Sequence, residues 1–210
     1  MPVDATVYPV NLVLEGRACL VVGGGAVAAR KIAGLVAAGA VVRVVATRVG
    51  AEVRACGVPF EERPYRRGDV TGQWLVITAT DDPAANAAVR ADGDAAGVWV
   101  NAADDPASCS FTLPAVARQG PVTVAVSTGG HSPALASWLR QHVVAELGPE
   151  WATLAALLSG ARERMKAEGR STEGADWRAL IDWDMLDLLR TGQDARVKER
   201  LEAWLSSSLD

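Results

Sequence analysis

Residues 18–31 read Ala18-Cys-Leu-Val-Val-Gly-Gly-Gly-Ala-Val-Ala-Ala-Arg-Lys31, and the order of residue types in this stretch decides the fold. The run Ala18 to Val22 is short, apolar and Val-rich, as a strand buried on both faces should be. Three glycines follow it, and Ala26 to Ala38 then has helical composition. Strand, glycine turn and helix start, in that order, are the setting of a dinucleotide-binding loop. Gly23, Gly25 and Ala28 fall at the first, second and third fingerprint positions. Gly23 permits the tight turn, Gly25 lets a pyrophosphate approach the backbone, and small Ala28 lets helix and strand pack closely while helix N–H groups face the phosphates. The bland alternative is a glycine turn that binds nothing; the second βα pattern that follows argues against it.

Working outward, Val-rich runs recur at Val41 to Ala46, Trp74 to Thr78 and Val98 to Val100, with a further helix over Pro83 to Ala95. Proline at position 83 suits a first helical turn, where its missing N–H has no intrahelical partner to lose. This alternation predicts an α/β fold with a Rossmann-like parallel sheet. Beyond Asn101 the texture changes. Ser110 to Ala117 and Val122 to Ser127 flank the turn-forming Arg118-Gln119-Gly120-Pro121, which predicts a β-hairpin. A loop over Ser127 to Pro133 leads into a helix over Ala134 to Leu147, with Ser132 as N-cap and Pro133 at the first helical position. From Trp151 onward, apolar residues at helical spacing predict three amphipathic helices, broken at Gly169 to Gly174 and at Thr191-Gly192. Trp151, Trp177, Trp183 and Trp204 are read as packing a small helical core, and Ser206 to Ser208 as a frayed end. The expected organisation is residues 1–112 as a nucleotide-binding domain, 113–148 as a hairpin and helix region, and 149–210 as a C-terminal helical domain.

Composition narrows the partners. The 210 residues are 50% hydrophobic, which suits a globular protein with a real core. With 21 Lys+Arg against 25 Asp+Glu, the net charge of -4 argues against a general electrostatic grip on nucleic acid or on an anionic membrane. Cys19, Cys56 and Cys109 are scattered without metal or disulfide spacing, which fits a reducing compartment. The start, MPVDATVYPV, has no basic and apolar leader, and no run approaches the about 20 apolar residues of a membrane span. A soluble cytoplasmic protein is expected.

Several residues beyond the glycine loop are candidates for chemistry. After the second Val-rich run, where an acid ordinarily holds the adenosine ribose, stand Thr47 and Arg48 instead. Arg48 contacts a 2′-phosphate and favours NADP, or Thr47 and Arg48 line ribose and adenine through their backbone, or Arg48 is simply solvated. Thr80 closes another run at the carboxyl edge of the sheet, near where a nicotinamide would lie. For Asp81 and Asp82 an ordinary helix cap before Pro83 is the stronger reading, and Asn86, one turn on, bonds either the loop or a ligand. Asn101-Ala-Ala-Asp-Asp-Pro106 follows the last parallel run. A carboxylate there can act as general base, and a polar turn explains it equally well for Asp104 and better for Asp105. Cys109 and His131 are weak evidence for a metal site, and none is assigned.

Taken in order, Tyr8-Pro-Val-Asn-Leu12, Val22 to Lys31, Ala79-Thr-Asp-Asp82, Asn101 to Pro106, Ser110-Phe-Thr-Leu-Pro114 and Val126-Ser-Thr-Gly-Gly-His-Ser-Pro133 resemble the precorrin-2 dehydrogenase / sirohydrochlorin ferrochelatase family of siroheme biosynthesis, also found as the N-terminal part of siroheme synthase. The resemblance covers about residues 8–147. It implies NAD-dependent oxidation of precorrin-2, a tetrapyrrole, to sirohydrochlorin, with Asp104 as catalytic base. It further implies cofactor contacts at Gly23, Gly25, Ala26, Val27, Thr47, Arg48 and Thr80. Fe2+ insertion into sirohydrochlorin is left open as a second activity. A homodimer formed through the region after Asn101, with the helical C-terminal part over the substrate cleft, is also implied. Thr128 stands where the family often has serine. The polycarboxylate substrate calls for local cations, for which Arg118, Arg140 and the 162–170 stretch are available. The rival from another class is a non-catalytic NAD-sensing module.

Overall fold

Alternation along the Val-rich runs is realised as a sheet buried on both faces. The structure, a computed structural model, describes residues 6–173 and 175–207. Readings made at residues 1–5, at Gly174 and at Ser208 lie outside the described residues. The first half runs β1 (Ala18–Val22), α1 (Ala26–Ala37), β2 (Val41–Ala46), α2 (Ala51–Ala55), β3 (Phe60–Glu62), β4 (Leu75–Thr78), α3 (Pro83–Ala96) and β5 (Trp99–Ala102). Its strands are all parallel, in the order β3-β2-β1-β4-β5. Cys19 and Val21, Val42 and Val44, and Leu75 and Ile77 face the α1 side with Ala28, Ile32 and Leu35. Leu20, Val22, Val45, Val76 and Val100 face the other side, where Val89 of α3 completes the core. The strand order reverses between β1 and β4. In open sheets of this kind, that switch point leaves a crevice at the strands' carboxyl ends.

Two elements have no counterpart in the sequence reading. Strand β3 is Phe60-Glu61-Glu62, exposed throughout, and α2 buries only Val53. A three-residue edge strand shows no alternation and a five-residue helix no full amphipathic period, so neither has a periodic signature.

The chain divides into two compact units at Leu113/Pro114, with Gly129–His131 grouped with the first. In the second unit, β6 (Ala115–Gln119) and β7 (Val122–Val126) pair antiparallel around Gly120-Pro121. The expected first strand began at Ser110, but Ser110 to Pro114 is irregular: the Ser110 hydroxyl bridges to the Val100 backbone and Pro114 has no N–H to donate. Helix α4 (Pro133–Glu146) packs on this hairpin; the Ser132 hydroxyl accepts from the Leu135 N–H at 3.1 Å.

Among the described residues four helices follow rather than three: α5 (Pro149–Ala167), α6 (Trp177–Leu180), α7 (Trp183–Arg190) and α8 (Asp194–Ser207). The middle helix of the sequence reading is split because Asp182 takes an extended conformation and its carboxylate accepts from the Met185 N–H at 3.0 Å, starting a new helix. Leu154, Met165, Leu180, Met185, Val197 and Leu201 form the core of these helices. Trp151, Trp177 and Trp204 pack against it, but Trp183 does not belong to it. That ring is 68% exposed and stands nearly perpendicular to Trp151, with centroids 6.2 Å apart. No helix among the described residues is long and apolar enough to cross a membrane.

Candidate functional site

The glycine loop sits at the switch point and is locked to both neighbouring strands. The Gly23 N–H donates to Val45 O at 3.0 Å, and the Ala79 N–H to Val22 O at 2.8 Å. Gly23 has φ 138°, and a Cβ there would lie 2.1 Å from Ala79 O. Gly24 is equally constrained: its Cβ would lie 1.9 Å from Arg48 O, and its carbonyl accepts the Gly50 N–H at 2.8 Å. The fingerprint reading assigned Gly24 no role. The unbroken Gly-Gly-Gly run was the available signal, but the approach of the Arg48 carbonyl depends on where β2 ends.

Gly25 differs from both. A Cβ there would meet nothing within 4 Å. Gly25 is also the N-cap of α1, with no side-chain cap and no acid in the first turn, so the helix-terminal N–H groups and positive dipole end are open to an anion. Ala28 is fully buried, which lets α1 lie close to β1. These features fit a bound pyrophosphate: open space at Gly25, uncapped donors, and no competing carboxylate. Ala26 begins the helix and Val27 follows, half-buried. Thr47 and Arg48 are exposed beyond β2. A carboxylate stands on the neighbouring strand: Glu62 accepts the Val49 N–H at 3.0 Å and pairs with Arg54 at 2.9 Å. Those two bonds, with the charges of Arg54 and Arg48, hold its carboxyl below the usual range.

A cavity of about 320 Å³ opens beside the loop. Val27, Ala79, Thr80, Asp81, Asn86 and Asp104 are among its lining residues. Asp82 caps α3, accepting from the Ala84 and Ala85 N–H groups at 2.9 and 3.2 Å. Thr80 Oγ1 accepts the Asp82 N–H at 3.2 Å, and Asn86 Nδ2 donates to Thr80 O at 3.1 Å, so Asn86 bonds the loop. Its Oδ1 is buried without a partner.

Asp104 stands out in backbone as well as position. At φ 62° it is the one described non-glycine residue in the left-handed region, a conformation aspartate tolerates better than most residues. Its side chain is exposed toward solvent and accepts no hydrogen bond among the described residues. Beneath the loop, Cys109 Sγ accepts the Ala102 N–H at 3.2 Å and lies 3.3 Å from both Ala102 O and Asp105 O. The thiol is therefore a brace across the Asp104 turn. Asp105 opens the following 3-10 turn over Pro106–Ser108.

The remaining arginine candidates belong to the second unit. Arg164 pairs with Glu168 and Glu202, and Arg170 with Glu168. Arg118 and Arg140 form no ion pair among the described residues. Among those residues no group of three or more His, Cys, Asp or Glu side chains gathers as a metal cage. A larger recess, about 680 Å³, lies against α7 and α8 and contains no residue of the glycine loop.

Comparison with known proteins adds an independent line. A family model described as "Putative NAD(P)-binding" matches residues 10–115, and one described as "Sirohaem biosynthesis protein central" matches residues 119–146. Siroheme synthase of Thioalkalivibrio sulfidiphilus is 37% identical over 209 residues, covering 97% of this chain and 43% of the relative. Siroheme synthase of Pseudomonas paraeruginosa is 38% identical over 202 residues, covering 93% and 43%. The chain thus spans less than half the length of the curated relatives it matches. Among solved structures, SirC, precorrin-2 dehydrogenase, superposes with a TM-score of 0.76 at 27% identity, covering 94% of this chain and 98% of that one. The chain belongs to the NAD(P)-binding family, in the form that continues directly into the sirohaem-biosynthesis central segment.

Proposed function

We propose that this chain is an NAD-dependent precorrin-2 dehydrogenase that converts precorrin-2 to sirohydrochlorin. The observation that carries the reading is convergence: Val27 of the glycine-loop helix, Thr80 after β4 and Asp104 after β5 line one cavity. The likeness to SirC along nearly the whole chain supports the same chemistry. Gly23, Gly25, Ala26 and Val27 would hold the pyrophosphate and its flanks, Thr47 and Arg48 the adenosine end, and Thr80 the nicotinamide end. When bound, NAD+ supplies acceptance of one hydride from the reduced macrocycle. Loss of hydride leaves an acidic C–H on the substrate, and Asp104 takes that proton, so that two electrons and two hydrogens leave in all. The open, unbonded carboxylate of Asp104 suits proton removal better than a structural turn would require.

An anaerobic assay with purified chain, precorrin-2 and NAD+ tests this. NADH should form only when precorrin-2 is present. Asp104→Asn should lower turnover by about 100-fold or more while NAD+ affinity stays within about twofold, the range expected when no binding contact is lost. NADH-free reaction mixtures, or full turnover in Asp104→Asn, would sink the proposal. Tight NADH binding without oxidation would instead favour the sensing module. An NADP+ arm tests the role of Arg48, and an Fe2+ arm tests metal insertion into the product, with Fe2+ as substrate.

The assembly and setting we propose are a homodimer through residues 113–148 and a reducing cytoplasm, with 1–112 as the nucleotide-binding domain and 149–210 as the helical domain. Helix α4 leaves Leu135, Trp138 and Val144 about half exposed, an apolar surface of the kind interfaces cover. The three cysteines are free thiols, which suits a reducing setting.

A further inference from the structure

We infer that Asn86 is a cofactor-binding residue, its side-chain Oδ1 accepting an N–H of the nicotinamide carboxamide; this rests on the dehydrogenase reading above. Asn86 stands near the start of α3, just after the Asp82 cap and Pro83, and lines the cavity with Val27, Thr80 and Asp104. Its Nδ2 donates to Thr80 O at 3.1 Å. A carbonyl oxygen can only accept, so this bond fixes which way round the amide sits, and the atom left over is an acceptor. That atom, Oδ1, is buried and has no hydrogen-bond partner among the described residues.

Buried side-chain acceptors are nearly always bonded, so an orphaned one calls for a partner. Gln73, Thr78 and Arg90 carry the other orphaned atoms among the described residues, and none of those three lines the cavity. The Thr78 hydroxyl faces the α3 side of the sheet, two residues after Val76, but it too has no partner and so does not donate to Asn86. Orphaned acceptor and cavity therefore coincide at Asn86. The residue keeps 7% of its surface and Oδ1 almost none, so a ligand donor reaches it through a small shift of the wall, where Asp81 and Pro83 are exposed.

The chemistry of the wall selects the ligand group. Asp81, Asp104 and Asp105 line the cavity as further acceptors. Thr80 differs from them: its Oγ1 already accepts the Asp82 N–H at 3.2 Å, which leaves its own proton for an acceptor. A hydroxyl donor and an amide acceptor thus belong to two residues joined by the 3.1 Å bond between Asn86 Nδ2 and Thr80 O. A primary carboxamide presents the matching pair, an N–H for Asn86 and a C=O for Thr80. The carboxylates of a tetrapyrrole have no proton to give to Oδ1. The nicotinamide end of the dinucleotide fits these two residues, and the acidic side chains of the macrocycle do not.

Isothermal titration of the whole chain with NAD+ and with its 3-acetylpyridine analogue, in which a methyl group replaces the carboxamide NH2, reads this contact without turnover. NAD+ should bind about 2- to 12-fold more tightly, the worth of one neutral hydrogen bond. In Asn86→Ala that preference should vanish. A merely structural loss would weaken both dinucleotides alike and keep their ratio, which would overturn the inference. Should Asn86→Ala not fold, the parent chain alone decides: equal affinity for the two dinucleotides removes the contact, and a preference for NAD+ supports it. Equal binding of both leaves the dehydrogenase reading standing, whereas binding of neither brings that reading down together with the inference, so the two failures are told apart.

Discussion

Replacing Gly23 with alanine puts a methyl group 2.1 Å from Ala79 O and 2.7 Å from Ala79 C, at a residue whose φ is 138°. The obstacle is backbone, and Ala79 is held to Val22 by a 2.8 Å hydrogen bond, so no side chain can swing aside. Overpacking of a rigid site costs about 1–3 kcal/mol, and holding a non-glycine residue in a sparsely populated backbone region costs about 1–3 kcal/mol more. Gly23→Ala should therefore destabilise the first unit by about 2–6 kcal/mol. Gly25→Ala is the matched control. Its methyl meets nothing within 4 Å and the residue's φ is -94°, so the folded protein should lose less than about 1 kcal/mol, the difference between glycine and alanine at an N-cap. On the dehydrogenase reading, the space it fills is the space a pyrophosphate would need. An overlap of about 1–3 kcal/mol there corresponds to about 5- to 150-fold weaker NAD+ binding. Urea unfolding followed by Trp fluorescence reads the first quantity, and isothermal titration with NAD+ the second. A Gly23→Ala protein as stable as the parent, or a Gly25→Ala protein binding NAD+ undiminished, would refute the steric reasoning.

Two further outcomes follow from the electrostatics. Glu150, whose side chain is 5% exposed, is bonded by Arg190 Nε at 2.7 Å, so Arg190→Met should lower the urea midpoint of unfolding; adding Glu150→Gln should recover part of the loss. Burial pushes the Asp69 carboxyl up, but two bonds from Arg63 at 2.7 and 2.9 Å and one from the Arg66 N–H at 2.8 Å outweigh it and leave it below the ordinary range. Asp182, bonded by Arg200 and the Met185 N–H, is lowered too. A carboxyl depressed in the folded state stabilises above its unfolded value of about 3.9 and loses that contribution as pH falls further. Unfolding free energy should therefore hold from neutrality to about pH 4 and drop below it; a rise on acidification would contradict these pairs.

The sheet was legible because its information is local. Cys19 and Val21 against Leu20 and Val22 alternate faces with the period of the strand itself, and a burial pattern of that kind leaves a sequence trace. The caps were legible for the same reason: Asp82 and Ser132 each stand two to three residues from the N–H groups they accept. Phe60-Glu61-Glu62 left no trace because an exposed edge strand is defined by its partner, β2, and not by its own residue pattern. The split at Asp182 was missed because Trp177, Leu180 and Met185 keep apolar spacing through a break that only the backbone records.

What the sequence by itself determined is the doubly covered parallel sheet and the glycine turn, since strand period, backbone sterics and hydrophobic burial act between near neighbours in the chain. What only the tertiary structure decided is that Val27, Thr80 and Asp104 line one cavity, and that Asp104 takes a left-handed backbone over the Cys109 thiol. Those proximities join residues tens of positions apart. They depend on the register of β1 with β4 and of β4 with β5, set by packing across the whole sheet rather than by any one segment.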